Sequence, residues 1–250
     1  MTAQEKLTAN VVVDTNPATG TAVAELSETN LEALPQMLAK AREAQAIWAA
    51  KSFKERARHI QMMRSYIVDR ADDLARTVSE SNGKTLTDAL ATEVLPCALA
   101  CKWYAKNAEH YLKERNRPAG SILFFNKRTH MLRVPLGVVG IISPWNYPLS
   151  IPFGEIVMAL MAGNGVMLKV AAATPAVGRA IEQIVAAGEL PEGLFQHIVG
   201  SGSKVATGFF DNGIDKLFFT GSVPAGKTLM AQAAQTLTPC LLYTSDAADE

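Results

Sequence analysis

The second half of the chain alternates short apolar runs with helical patterns, and this alternation limits the possible folds more than any other feature. Apolar runs occupy 134–142, 166–170, 195–199 and 216–219, and a helical pattern follows each of them. Apolar runs that alternate with helices are typical of a buried parallel sheet with right-handed crossover connections. We therefore predict an α/β fold in which helices flank a parallel sheet.

Helical periodicity dominates the first hundred residues. Apolar residues recur at steps of three and four over 31–48 and 53–67, which predicts two amphipathic helices. A further helical stretch is expected over 71–111, with a break near the Asn82-Gly83 pair. The first part of the chain should therefore be a helical region that precedes the sheet.

A β-hairpin is predicted between these two regions. Residues 121–134 form short β-prone runs around Asn126-Lys127, with polar residues on the second arm. An exposed hairpin of this kind favours contacts between subunits.

The composition excludes several classes of function. Lys and Arg number 24, as do Asp and Glu, so no net field favours nucleic acid or anionic lipid as a partner. The polar amino terminus has no secretory signal and three cysteines are too few for a disulfide framework, so a cytoplasmic location is expected. The apolar stretch 151–173 contains Glu155, Lys169 and a break at 163–165, which predicts a helix, a turn and a strand rather than a membrane span.

No metal site is expected. Cys97 and Cys101 lie one helical turn apart, but a metal would need two further ligands and no histidine lies nearby at ligand spacing. Packing in the core is the preferred interpretation of this pair.

Functional residues are expected in the turns that follow the strands. Ligands of open parallel sheets bind at the carboxyl ends of the strands. The turns after Ile142, Val170, Val199 and Phe219 are therefore the candidates.

The first of these turns contains an asparagine between two prolines. Pro144 and Pro148 stiffen the loop around Asn146. A rigidly held asparagine can donate its NH₂ group to a developing oxyanion, or its amide can be satisfied by its own backbone in an Asx-type turn.

Lys169, before the second turn, can contact ribose or phosphate, or extend to solvent. Periodicity alone leaves the two alternatives for Asn146 open, and for Lys169 it favours extension to solvent.

The fourth turn has the composition of a phosphate-binding turn. Its glycines, at a strand-to-helix junction, let backbone amides approach a phosphate, and Ser222 adds a hydroxyl group. Residues 221–228 also satisfy the pattern G-x-x-x-x-G-K-[ST] of nucleoside-triphosphate hydrolases. Four strands precede this segment and little follows it, which argues against a hydrolase of that class.

Four ordered motifs together resemble the aldehyde dehydrogenase superfamily. They are PWNYP at 144–148, the strand end at Lys169, ELPEG at 189–193 and FTGS at 219–222. Segments 16–20 and 80–84 also match, so the resemblance runs from Asn16 or earlier through Leu242. The resemblance implies a Rossmann-like domain that binds NAD or NADP, a hairpin used in homodimer or homotetramer assembly, and a second, catalytic domain.

The family chemistry gives each candidate residue a role. An aldehyde adds to a cysteine thiolate, hydride leaves to the nicotinamide, and water activated by a glutamate releases the acid. Asn146 would be the catalytic donor to the thiohemiacetal oxyanion, Lys169 would contact the adenosine ribose, and Gly202 would lie near the adenine. The residues expected at the cofactor are Ile142, Ser143, Pro144, Trp145, Lys169, Gly202, Phe219, Gly221, Ser222 and Ala225.

Two departures from the family pattern change the expectations. Ala172 stands where many members have a glutamate that would repel a 2′-phosphate, so NADP is permitted beside NAD. Residues 243–250 do not continue the family pattern and are expected to be a non-native tail, which leaves 1–242 as the cofactor-binding domain. Neither Cys240 nor Glu250 matches the missing nucleophile or base.

The resulting hypothesis is the cofactor-binding part of an NAD(P)-dependent aldehyde dehydrogenase, inactive by itself because the catalytic domain is absent. The parent enzyme would oxidise a small-molecule aldehyde to a carboxylic acid. A non-catalytic dinucleotide-binding module and a phosphate-loop hydrolase are the alternatives.

Overall fold

A pair of antiparallel strands begins the part of the chain that the structure describes. The structure is a computed structural model that describes residues 11–117 and 120–244; the polar segment 1–10 and residues 245–250 of the expected tail lie outside it. Strands β1 (Val11–Thr15) and β2 (Ala22–Ser27) pair with each other. Helices dominate the rest of the first hundred residues, as expected, but this strand pair was not predicted.

Packing against distant residues explains why no strand pattern is visible in this segment. Val11 and Val13 are exposed, whereas Asp14 is completely buried. The Asp14 carboxylate accepts hydrogen bonds from Ser81 Oγ at 2.8 Å and from the backbone N–H of Ala176 at 3.0 Å. The buried face of β1 is thus polar, and its partners are 67 and 162 residues away.

The predicted helices of the next region are confirmed. A 3-10 turn (Leu31–Ala33) leads into α1 (Leu34–Ala49), followed by α2 (Phe53–Asp69), α3 (Ala71–Asn82), α4 (Leu86–Ala89), a π-helical turn (Leu90–Val94) and α5 (Leu95–Leu112). The expected break falls at Gly83, which has a left-handed conformation with φ of 82° and ends α3.

The predicted hairpin differs from the structure in its first arm. Strand β3 (Arg115–Arg117) pairs with β4 (Thr129–Met131), so the first arm precedes the predicted range 121–134. The apolar run Ile122–Phe124 instead forms a 3-10 turn, in which Ser121 Oγ accepts a hydrogen bond from the N–H of Leu123. Asn126-Lys127 therefore belongs to a long connection rather than to a tight turn.

A five-stranded parallel sheet follows, which confirms the predicted fold class. Its elements are β5 (Val138–Ile142), α6 (Ser150–Met161), β6 (Gly165–Lys169), α7 (Pro175–Ala186), β7 (Phe195–His197), α8 (Gly202–Asp211), β8 (Lys216–Gly221), α9 (Val223–Thr236) and β9 (Cys240–Thr244). The strand order is β7-β6-β5-β8-β9, and every neighbouring pair is parallel. Strand β9 was not predicted.

The ordered chain continues beyond the expected domain end at Leu242. Tyr243 pairs with Thr220, and Thr244 pairs with Gly221. The first two residues of the expected tail are therefore part of the sheet edge.

Helices cover both faces of the sheet. Val139 and Ile141 of β5 pack into one buried cluster with α2, α5, α6 and α7, whereas Val138 and Ile142 pack into a second cluster with α8 and α9. This alternation follows from the two-residue period of a strand. Cys97 and Cys101 lie in the first cluster, as the core-packing interpretation predicted.

The apolar stretch 151–173 is a helix, a turn and a strand, as predicted. Within 11–117 and 120–244, none of the helices has the length and apolar character needed to cross a bilayer.

Candidate functional site

A cavity of about 470 Å³ lies at the carboxyl ends of the parallel strands. All four turns identified from the sequence contribute to its wall. The ten residues expected at the cofactor all line it, namely Ile142, Ser143, Pro144, Trp145, Lys169, Gly202, Phe219, Gly221, Ser222 and Ala225. The volume falls in the range of roughly 300–1,000 Å³ that small-molecule sites occupy.

The register of the central strands brings these residues together. Ile142 of β5 lies opposite Lys169 of β6 on one side and Phe219 of β8 on the other. The N–H of Ser143 donates to the Lys169 carbonyl at 3.1 Å, which extends this alignment into the first turn. Strands β5 and β6 thus end at the same level, β8 continues two residues further to Gly221, and their turns meet around one space.

The turn between β8 and α9 is very short and aims a helix N-terminus at the cavity. Gly221 ends the strand, Ser222 stands at the N-cap position, and α9 begins at Val223. The first N–H groups of a helix have no partner within the helix and carry partial positive charge, so they favour a phosphate. A methyl group on Gly221 would lie 2.6 Å from Phe219 Cζ, so any other residue at this turn would require the Phe219 ring to move.

The hydrolase alternative for this segment is not supported by its geometry. A phosphate-binding loop of that class wraps the phosphates with the residues between its two glycines. Here residues 223–226 already belong to α9, and Lys227 is exposed on its second turn.

Lys169 does not extend to solvent. The residue is only 6% exposed, and burial lowers the pKa of its ammonium group. A methyl group on Gly202 would lie 3.3 Å from Lys169 Nζ, so the cation approaches the first residue of α8. An anionic or hydroxyl-rich ligand in the cavity would compensate this buried charge.

Ala172 lines the same cavity as Lys169 and Gly202. Further lining residues were missed by the sequence reasoning, namely Ala171, Ser203, Thr220, Thr228, Leu229 and Gln232. Thr228 and Gln232 are spaced by one helical turn on α9, a periodic signal that could have indicated a shared face.

Asn146 lies in the turn after β5 but does not line the cavity. Its side-chain Oδ1 accepts a hydrogen bond from the N–H of the next residue, Tyr147, at 2.9 Å, whereas an Asx turn would use the N–H two residues on. Because this bond uses the amide oxygen, it is compatible with donation by the NH₂ group. The oxyanion role of Asn146 stays a prediction.

None of the three cysteines lies at the cavity. Burial raises the pKa of Cys101 to about 12 and that of Cys97 well above its usual range, so neither thiol readily forms a thiolate. Cys240 begins β9 opposite Leu217, at the end of the sheet remote from the cavity. Within 11–117 and 120–244, no group of three or more His, Cys, Asp or Glu side chains could hold a metal ion.

Comparisons with known proteins agree with this arrangement. The model of the aldehyde dehydrogenase family matches residues 4–245. The 4,4'-diapolycopene aldehyde oxidase of a Methylomonas species is 34% identical over 209 residues, which are 84% of this chain and 39% of that protein.

Solved structures show the same fold. A crystal structure of an NADP-dependent enzyme from E. coli matches with a TM-score of 0.88 and 28% identity, over 94% of this chain and 48% of that one. The NAD⁺ complex of an aldehyde dehydrogenase from Bacillus cereus matches with a TM-score of 0.87 and 26% identity, over 94% and 48% of the two chains. The chain thus spans less than half the length of these relatives. On the family match over residues 4–245, it belongs to the aldehyde dehydrogenase family.

Proposed function

We propose that this chain binds NAD or NADP in the cavity at the strand ends and forms the cofactor-binding part of an enzyme that oxidises an aldehyde to a carboxylic acid. The observation that carries the proposal is the convergence of the four turns on one cavity. The site fits a dinucleotide because it combines a helix N-terminus, a close glycine turn and a buried cation.

The cavity offers a place for each part of the cofactor. Gly221, Ser222 and Ala225 line the cavity at the start of α9 and would hold the pyrophosphate, because backbone N–H groups and the helix dipole favour negative charge there. Lys169 would contact the adenosine ribose, and Trp145 lines the cleft. The fold shared with the NAD⁺ complex of the Bacillus cereus relative supports a nicotinamide dinucleotide as the ligand.

In the complete enzyme, the bound cofactor supplies a hydride acceptor. Asn146 donates its NH₂ group to the oxyanion that forms when an aldehyde adds to a cysteine thiolate. Since none of the cysteines of this chain lies at the cavity, the thiol comes from a region that the chain does not span. The chain by itself therefore binds cofactor without oxidising aldehyde.

Calorimetric titration of the purified chain with NAD⁺ and with NADP⁺ tests the binding. We expect Lys169→Met to weaken both cofactors about tenfold, equivalent to about 1.4 kcal/mol. Lys227→Met is the matched control, because this lysine is exposed on α9 and does not line the cavity. Binding that depends on Lys227 but not on Lys169, together with ATP hydrolysis, would support the phosphate-loop alternative instead.

The choice between the two cofactors depends on Ala172. A carboxylate there would repel a 2′-phosphate, and its absence permits NADP. We expect Ala172→Glu to weaken NADP⁺ at least tenfold and to leave NAD⁺ nearly unchanged. Ala173→Glu adds the same charge at an exposed neighbour outside the cavity wall and should change neither affinity. A wild-type preference for NAD⁺ of a hundredfold or more would contradict the proposed dual use.

A further inference from the structure

Side chains from the helical region bind the backbone of the loop that carries Asn146. Asn82 Nδ2 donates to the Trp145 carbonyl at 2.7 Å, and Lys84 Nζ donates to the Asn146 carbonyl at 2.6 Å. The same ammonium lies 3.9 Å from the centre of the Tyr147 ring. These contacts join segments that are more than 60 residues apart in the chain.

Glu93 completes the network from the π-helical turn. Its side chain is fully buried and pairs with Lys84, which is itself mostly buried. Glu93 Oε2 accepts hydrogen bonds from the N–H groups of Leu149 at 3.2 Å and Ser150 at 2.8 Å, where α6 begins. A carboxylate at a helix N-terminus is favourable because it meets the positive end of the helix dipole. Glu93 therefore fixes the far end of the loop and holds Lys84 in place.

The two carbonyl contacts restrain the backbone on both sides of Asn146. The Trp145 carbonyl belongs to the peptide plane before the Asn146 Cα, and the Asn146 carbonyl belongs to the plane after it. Hydrogen bonds to both planes restrict φ and ψ of Asn146. The bond from the Tyr147 N–H to Oδ1 limits the side-chain rotation. Asn82 and Lys84 thus restrict the directions that the NH₂ group can take.

We propose that Asn82, Lys84 and Glu93 are positioning residues that hold Asn146 in one orientation for its reaction partner. This proposal takes from the proposed function only the role of Asn146 as the donor to the oxyanion. Catalytic groups need such support because a displacement of about 1 Å can cost on the order of a hundredfold in rate. A buried ion pair also suits this task, because removal of either partner leaves an uncompensated charge and disturbs the whole network.

NMR spectroscopy of the ¹⁵N-labelled chain can test this orientation without any turnover. The probes are the side-chain NH₂ signals of Asn146, assigned with Asn146→Asp, and the indole N–H of Trp145, assigned with Trp145→Phe. We expect Lys84→Met and Glu93→Gln to shift these signals by more than their linewidth or to broaden them. The Trp48 indole, which donates to the Leu160 carbonyl in the core, should keep its position and report an intact fold.

Two further variants make the result decisive. Lys106→Met removes an exposed lysine of α5 and should leave the Asn146 and Trp145 signals unchanged. Asn82→Leu removes one amide donor at the end of α3, keeps the number and branching of the side-chain heavy atoms, and leaves no buried charge. This variant decides the question if the other two variants unfold. A retained Trp48 signal shows that a variant is folded. The proposal is wrong if the Asn146 and Trp145 signals of folded Asn82→Leu stay in place. It is also wrong if these signals stay in place in folded Lys84→Met and Glu93→Gln.

The same samples separate this proposal from the proposed function. If wild-type chain fails to bind NAD⁺ or NADP⁺ while the loop signals respond as expected, cofactor binding is wrong and the positioning network stands. If cofactor binds and the loop signals do not respond, only the positioning proposal falls.

Discussion

At the scale of single residues, Glu155 shows how one buried carboxyl group can set a pH dependence. Burial raises the pKa of Glu155 to about 8 from its ordinary value of 4.5. Its Oε2 atom is inaccessible to solvent and has no hydrogen-bond partner among the described residues. Because the folded-state pKa lies above the unfolded value, the folded chain binds this proton more tightly. The group therefore costs stability progressively as the pH rises from about 4.5 to 8.

Glu155→Gln should remove this dependence. We expect the free energy of unfolding of the wild type to fall relative to the variant between pH 5 and pH 8, by up to a few kcal/mol at about 1.4 kcal/mol per pKa unit. Urea denaturation at several pH values measures the difference. Glu109→Gln, at an exposed position of α5, should follow the wild type. Parallel curves for wild type and Glu155→Gln would contradict the assignment.

At the scale of elements, Gly83 ends α3 and sets the backbone direction between Asn82 and Lys84. Its φ of 82° is strained for any other residue, and an added methyl group would lie 2.9 Å from Pro17 Cγ. Gly20 also has a positive φ, of 71°, but a methyl group there would contact nothing within 4 Å. A comparison of substitutions at Gly20 and Gly83 therefore separates the cost of backbone strain from the cost of the contact with Pro17.

We expect Gly20→Ala to lose about 1 kcal/mol of unfolding free energy from backbone strain alone. Gly83→Ala should lose about 2 kcal/mol, because Pro17 must also shift. Denaturant unfolding of both variants tests this order. Equal losses would mean that Pro17 moves aside without cost.

At the scale of the whole molecule, apolar side chains are concentrated on the surface around the long connection and β4. Ile122 is 86% exposed and Phe125 is 85% exposed, and Leu123, Leu132 and Val134 are exposed nearby. Contiguous exposed apolar surface of this kind promotes association. This surface is also the one for which the sequence predicted subunit contacts.

The double variant Ile122→Ser/Phe125→Ser should therefore reduce concentration-dependent association of the chain, measured by sedimentation velocity, with little change in melting temperature. Ile47→Ser removes a 62% exposed apolar side chain on α1 and serves as the control. Equal effects of both changes would show that general surface hydrophobicity, rather than this surface, drives association.

The sequence by itself determined the parallel sheet and the position of the cavity. Apolar runs and helical periods are local signals that can be recognised in the sequence. Because the carboxyl ends of parallel strands lie at a common edge, Ile142, Lys169 and Phe219 were predicted to lie close together. The motif resemblance then gave ten residues as expected cofactor contacts, and all ten line the cavity.

Only the tertiary structure decided features that depend on contacts between distant segments. Asp14 is buried in β1 where Ser81 and the start of α7 donate hydrogen bonds to its Oδ2 atom. Lys169 is buried because α8 approaches it, and Lys84 and Glu93 reach the Asn146 loop because the helical region packs there. Local patterns carry no information on such partners, since the residues that satisfy each polar group lie tens of residues away and meet only when the layers assemble.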